Sequence, residues 1–186
     1  MKKFTILVDM DDVLWNLITP WVTTINEMYG TDVSEDCITD WKIAKFFPML
    51  TPEQVYSPLF AEGFWDKMQP VADGQWFIRQ LLEDGHRVKI VTATFSDNVP
   101  VKMRRFLELY PMLSWADVTV TSDKQSIKGD IMVDDAPHNL ENGDYHKILV
   151  NKPHNIHYDA VKNGTVRVSS LKEAYNEIIR WGYCLE

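Results

Sequence analysis

Two rhythms of apolar and polar positions run along this chain. Five short segments are close to continuously apolar: FTILV (4–8), RVKIVTA (87–93), DVTVT (117–121), DIMVDD (130–135) and HKILVN (146–151). Runs of this length without polar alternation suit strands buried on both faces, as in a parallel sheet. Between them the spacing becomes helical. Residues 74–85 place Trp76, Phe77, Leu81 and Leu82 on one side and end at Gly85, a good stop. Residues 99–110 repeat the pattern with Val99, Met103, Phe106, Leu107 and Tyr110. The last helix opens on Ser170-x-x-Glu173, a capping box, and stops at Gly182. Strands alternating with helices predict an α/β fold with a doubly wound parallel sheet.

One stretch breaks the alternation. A helix-like run over 13–29 follows the first strand, and then about forty residues pass without a convincing strand. Thr51-Pro52-Glu53-Gln54 has the form of a capping box with proline at the first helical position, which predicts a short helix there. The expected organisation is a core of residues 1–13 and 71–186, with 14–70 as a small helical cap inserted after the first strand.

Composition bounds the function. The chain has 186 residues, 45% of them hydrophobic and 25% charged, enough for one domain with a sizeable core. Its net charge of −8 argues against a nucleic-acid partner, since neutralising phosphates supplies most of such affinity. Cys37 and Cys184 are too few and too far apart for a disulfide framework or a zinc knuckle. After Met1-Lys2-Lys3 the apolar run is cut short by Asp9, so a secretory leader is not expected. No segment approaches the length of a membrane span. A cytoplasmic location is the default, and a homodimer is compatible with all of this.

The candidate chemistry sits at the strand ends. In open parallel sheets, ligands bind beyond the carboxyl ends of the strands. Strand one ends at Asp9-x-Asp11, strand two at Thr92-Ala93-Thr94, strand four at Asp134-Asp135, and Lys124 follows strand three. Carboxylates about 4 Å apart repel by roughly 4 kcal/mol at an effective dielectric near 20. Protonation or a bound cation relieves that cost, and an all-oxygen ligand set favours a hard ion, Mg²⁺ first. Beside a lysine, such an ion suits a phosphate dianion. Asp9 would attack phosphorus, and Asp11 would protonate the leaving oxygen and later take a proton from water. Lys124 and Thr92 would stabilise the equatorial oxygens.

DMDDV, VTAT, Lys124 and MVDDAP stand in the order of the four motifs of the haloacid dehalogenase (HAD) superfamily, and Asp11 resembles its phosphatase branch. TILVDMDDVL, TSDKQSIKGDIMVDD and the His-Asn pair at 154–155 resemble more narrowly the 5′(3′)-deoxyribonucleotidase family. The resemblance covers most of the chain and is weak in 14–70. It implies a HAD-like Rossmannoid core and a Mg²⁺-dependent phosphatase of nucleoside monophosphates, preferring deoxy forms, with Asp9 as nucleophile and Asp11 as acid/base. It also implies that Asp9, the backbone carbonyl of Asp11 and one of Asp134 and Asp135 bind the metal; Asp135 is favoured, with Asp134 in the outer shell or holding Lys124. Thr92, Ala93 and Lys124 are the expected phosphate-binding positions. Relatives commonly carry glycine or glutamate at Asp12 and serine at Ala93, which here leaves Thr92 and Thr94 as the hydroxyls.

Weaker signals complete the picture. Asp12 reads as a solvated turn residue or one favoured by a helix dipole. Lys128 competes with Lys124 for its role. Residues 14–70 hold Trp41, Phe46, Phe47, Phe64 and Trp65; single aromatics usually pack a core, yet this many invite a base-stacking pocket. Trp41 and Phe64 are the first candidates, with Trp15 and Leu17 lining the same pocket. His154-x-x-His157 reads as ordinary loop histidine, with His154 near the site. Two rival functions are a HAD phosphatase for another small phosphomonoester and a catalytically silent module binding phosphate or Mg²⁺.

Overall fold

The computed structural model describes residues 1–184. Six strands form one parallel sheet: β1 (Thr5–Val8), β2 (Arg87–Thr92), β3 (Val118–Val120), β4 (Ile131–Asp134), β5 (His146–Val150) and β6 (Thr165–Val168), in the order β3-β2-β1-β4-β5-β6. The predicted doubly wound α/β sheet is therefore present. The order reverses direction between β1 and β4, which places the topological switch point where the chain carries Asp9 and Asp134-Asp135.

The helices are α1 (Ile18–Tyr29), α2 (Pro52–Tyr56), α3 (Gly74–Glu83), α4 (Val99–Leu109), α5 (Pro137–Leu140) and α6 (Leu171–Cys184). Strand β1 shows how the two faces are filled. Ile6 and Val8 point into a large cluster with Phe77 and Leu81 of α3, Met103 and Phe106 of α4, and Ala174 and Ile178 of α6. Leu7 points the other way, to Val91, Met132, Leu140 and Leu149. Successive strand residues alternate faces, so an all-apolar strand needs a layer on each side. Gly85 does stop α3, in a left-handed conformation (φ 78°) that glycine adopts without a Cβ clash. Thr51 and Gln54 make the expected reciprocal cap of α2.

Several features depart from the sequence reading: β3 is an edge strand with no buried residue, and α6 runs through Gly182 to Cys184. Strand β6 was not anticipated: TVRV is an edge strand, only half buried, with Arg167 in its middle, and it lacks the continuous apolar run of β1, β4 and β5. The first helix begins at Ile18 and not at 13. Val13, Leu14 and Trp15 are buried in a tight turn whose burial imitates a helical face. That turn also makes the neck of the 14–70 segment. The outgoing and returning chains lie side by side there, with Val71 N–H donating to the Leu14 carbonyl (2.9 Å) and Asn16 N–H to that of Gln69 (3.3 Å). Trp21, Ile43, Phe47 and Trp65 of the segment join the large cluster that also packs the sheet.

Candidate active site

Asp9 directly follows β1 and is buried; its N–H donates to the Val133 carbonyl of β4 (2.9 Å), which fixes the two strand ends side by side. Lys124 stands on a turn after β3 with 3% of its surface exposed. Its ammonium lies 2.5 Å from Asp9 Oδ1 and 2.9 Å from Asp134 Oδ2. Lys128, the competing lysine, is exposed and makes neither contact. One oxygen each from Asp9, Asp134 and Asp135 lies within 4.8 Å of the others.

Asp134 and Asp135 are adjacent in sequence but differ in surroundings. Asp134 accepts from Lys124, from the Ala136 N–H (2.8 Å) and from Asn139 Nδ2 at both oxygens (3.1 Å). Both oxygens of Asp135 are buried without a hydrogen-bond donor. His154 Nε2 comes within 2.8 Å of Asp135 Oδ2 but without hydrogen-bond geometry. Burial holds this histidine's pKa below its ordinary value, with Asp12 opposing. Burial also pushes the Asp135 carboxyl well above the usual range, and Asp134 and Asp12 add to it. Asp9 is raised for the same first reason, with Lys124 opposing and the other acids reinforcing the rise. Burial alone would lower the Lys124 pKa, but Asp134 and Asp9 outweigh it and raise it. A buried carboxylate with no donor, in a cluster with more acids than cations, is matched to a hard divalent cation.

Asp11 faces away from this cluster. Its Oδ1 accepts from Trp15 Nε1 (2.7 Å) and its Oδ2 from Lys102 Nζ (2.5 Å). Lys102, on α4, is 1% exposed and also donates to Thr92 Oγ1 (3.1 Å) and to the Ala93 carbonyl (3.2 Å). Thr92 is thus fully buried with its hydroxyl committed to a lysine, and Ala93 and Thr94 are the residues of that turn facing the open space. Sequence reading missed Lys102. The available signal was a lysine beside Met103 on the apolar face of α4, where a cation needs an anionic partner. Asp12 is not a solvated turn residue. It is buried at φ 54°, and its Oδ1 accepts from the N–H groups of Leu17 (3.0 Å) and Ile18 (3.2 Å), which makes it the acceptor that starts α1.

Next to Asp11 a cavity of about 370 Å³ opens between the sheet edge and the 14–70 segment. Leu17, Trp21, Trp41, Tyr56, Trp65 and Phe95 are among the residues of its apolar wall. Leu17 and Trp41 both line this cavity; Trp41 is 50% exposed and meets His138 and His154 edge-on at 5.2 and 5.3 Å. Trp15 and Phe64 do not line it. Phe64 is buried behind Trp65, with ring centroids 5.3 Å apart, because its neighbour took the cavity face. Trp15 is fully buried and turns its indole N–H to Asp11.

A family model for the cytosolic type C deoxy (pyrimidine) 5′-nucleotidases matches residues 3–182. A 5′(3′)-deoxyribonucleotidase of Bacillus subtilis is 31% identical over 180 residues, covering 96% of this chain and all of that protein. The chain belongs to this family. With it the chain joins the phosphoric monoester hydrolases of the HAD superfamily. A HAD family hydrolase from Deinococcus radiodurans with bound phosphate and sodium superposes with a TM-score of 0.63 at 14% identity, covering 96% of each chain. A HAD-type hydrolase from Bacillus subtilis bound to magnesium gives 0.62 at 14% identity, covering 96% of this chain and 99% of that one. At these identities the likeness speaks for the fold.

Proposed function

We propose that this protein is a Mg²⁺-dependent phosphatase that hydrolyses deoxyribo- and ribonucleoside 5′- or 3′-monophosphates through an aspartyl-phosphate. The observation that carries the reading is the division of labour among the acids. Asp9 stands in an acid cluster around Lys124, while Asp11 stands outside that cluster, on the wall of an aromatic cavity.

In this reading an Asp9 oxygen attacks phosphorus, the bond from phosphorus to the ester oxygen breaks, and the nucleoside oxygen takes the proton of the Asp11 carboxyl. Water then attacks the aspartyl-phosphate, Asp11 takes back a proton, and the bond between phosphorus and Asp9 breaks to release phosphate. Lys124 and the backbone of Ala93 and Thr94 hold the phosphoryl oxygens; Thr92 acts only through Lys102. Asp9, the Asp11 carbonyl and donor-free Asp135 would hold the Mg²⁺, with Asp134 anchoring Lys124. When bound there, the ion supplies charge neutralisation for Asp9 and the phosphoryl oxygens. The 14–70 segment acts as a cap, and Trp41, Leu17 and Trp65 offer apolar surface to the base.

Phosphate release from a panel of nucleoside and sugar monophosphates, with and without Mg²⁺, tests the reading. Nucleotide turnover that depends on Mg²⁺ and is abolished in a folded Asp9→Asn variant is expected. Turnover of sugar phosphates alone would overturn the substrate class, and an active Asp9→Asn variant would overturn the covalent mechanism.

A further inference from the structure

Lys102 is a buried cation that touches neither the acid cluster nor Lys124. Its contacts are spread over three parts of the fold. From α4 it reaches Asp11 beyond β1, and Thr92 and Ala93 at the end of β2. These three acceptors match the three N–H bonds of an ammonium. The face of Trp65, from the 14–70 segment, lies 5.3 Å from Nζ. Placing an ammonium at 1% exposure is costly unless the partners repay the lost hydration, and the fold spends a charged pair and two further hydrogen bonds on it. A methionine of similar length would fill the space without that cost, so packing does not account for a lysine here.

The geometry points to Lys102 as the positioning residue for Asp11. With Trp15 Nε1 on Oδ1 and Lys102 Nζ on Oδ2, both carboxylate oxygens are held and the rotamer is fixed. Each oxygen keeps a second lone pair. The proton that Asp11 delivers can therefore sit on the cavity side while the carboxyl stays clamped from behind. By holding the Ala93 carbonyl as well, the same ammonium sets the distance between the acid/base and the turn proposed to bind phosphate. General acid catalysis depends on such placement, since the proton must be within hydrogen-bond reach of the leaving oxygen.

This inference rests on Asp11 acting as the acid in the proposed function. Its test uses leaving groups. A nucleoside or other alkyl ester needs a proton on the departing oxygen, whereas 4-nitrophenolate departs without one. Single-turnover rates are measured for wild type and Lys102→Met with 4-nitrophenyl phosphate and with an alkyl phosphomonoester that the wild type hydrolyses. The alkyl ester is a nucleotide if the panel above finds one, so failure of the nucleotide reading and failure of this one are seen separately. The expected result is a 30- to 300-fold loss on the alkyl ester with KM little changed, against a loss of 3-fold or less in the first release of nitrophenolate. Both substrates are assayed on one preparation, so the ratio does not depend on the fraction folded. Lys102→Gln, which keeps an N–H donor of shorter reach, is expected to recover part of the ratio. Equal losses on the two substrates, or no loss on either, would overturn the assignment.

Discussion

Replacing Lys124 by methionine probes the balance of charge at the centre of the site. The ammonium lies 2.5 Å from Asp9 and 2.9 Å from Asp134, and all three groups are buried. At an effective dielectric of about 20, each pair attracts by about 6 kcal/mol. Desolvation of the three ions takes back much of this, and removing one partner of a buried pair typically costs about 3–5 kcal/mol. The methionine chain fills the lysine stem, so cavity formation adds little. Without Lys124, Asp9, Asp134 and Asp135 face one another with no cation, and each can shed the cost by taking up a proton. Burial and neighbouring acids already raise Asp9 and Asp135. The loss should therefore be smaller at pH 5 than at pH 8. The assay is urea unfolding of metal-free wild type and variant at both pH values, repeated with Mg²⁺. A ligand that binds only the folded state stabilises by mass action, and the more negative variant site should gain more from the ion. A variant within about 1 kcal/mol of wild type at pH 8, with no larger response to Mg²⁺, would refute the account of Lys124 as the counter-charge of this cluster.

Two other substitutions separate cavity from core. Trp41→Ala should weaken nucleotide binding by about 1–3 kcal/mol, read as KM, with little change in unfolding midpoint. Phe64→Ala should instead cost about 3–5 kcal/mol of stability, read by urea unfolding, because its ring is buried behind Trp65. Acid sensitivity has a further source in His86. Its Nδ1 accepts the Phe4 N–H at 3.1 Å, and burial holds its pKa below the ordinary 6.5. The unfolded chain then binds the proton first, so stability is full above about pH 6.5 and falls as the pH drops below it. His86→Gln should flatten that part of the stability profile measured by urea unfolding between pH 7 and 5.

Apart from the edge strand β3, which has no buried residue although it was expected to be covered, the sequence by itself determined the strands that are buried on both faces. Their apolar runs have no polar alternation, and only a covered parallel sheet accepts that pattern. It also determined which strand ends carry charge, since Asp9, Lys124 and Asp134-Asp135 each follow an apolar run. The rule that ligands sit beyond the carboxyl ends brought them to one edge before any distance was known. Strand β6 lacked this legibility because an edge strand with Arg167 in its middle has only half a buried face. Tertiary structure decided the rest. Asp134 and Asp135 became distinct when Asn139, the Ala136 N–H and Lys124 saturated one and left the other without a donor. Trp65 faced the cavity and Phe64 the core because one turn can present only one of two neighbours to a given side. Lys102 acquired meaning only when α4 packed across the ends of β1 and β2. Local pattern reports which residues avoid water, whereas the partner of each polar atom is set by segments far away in the chain.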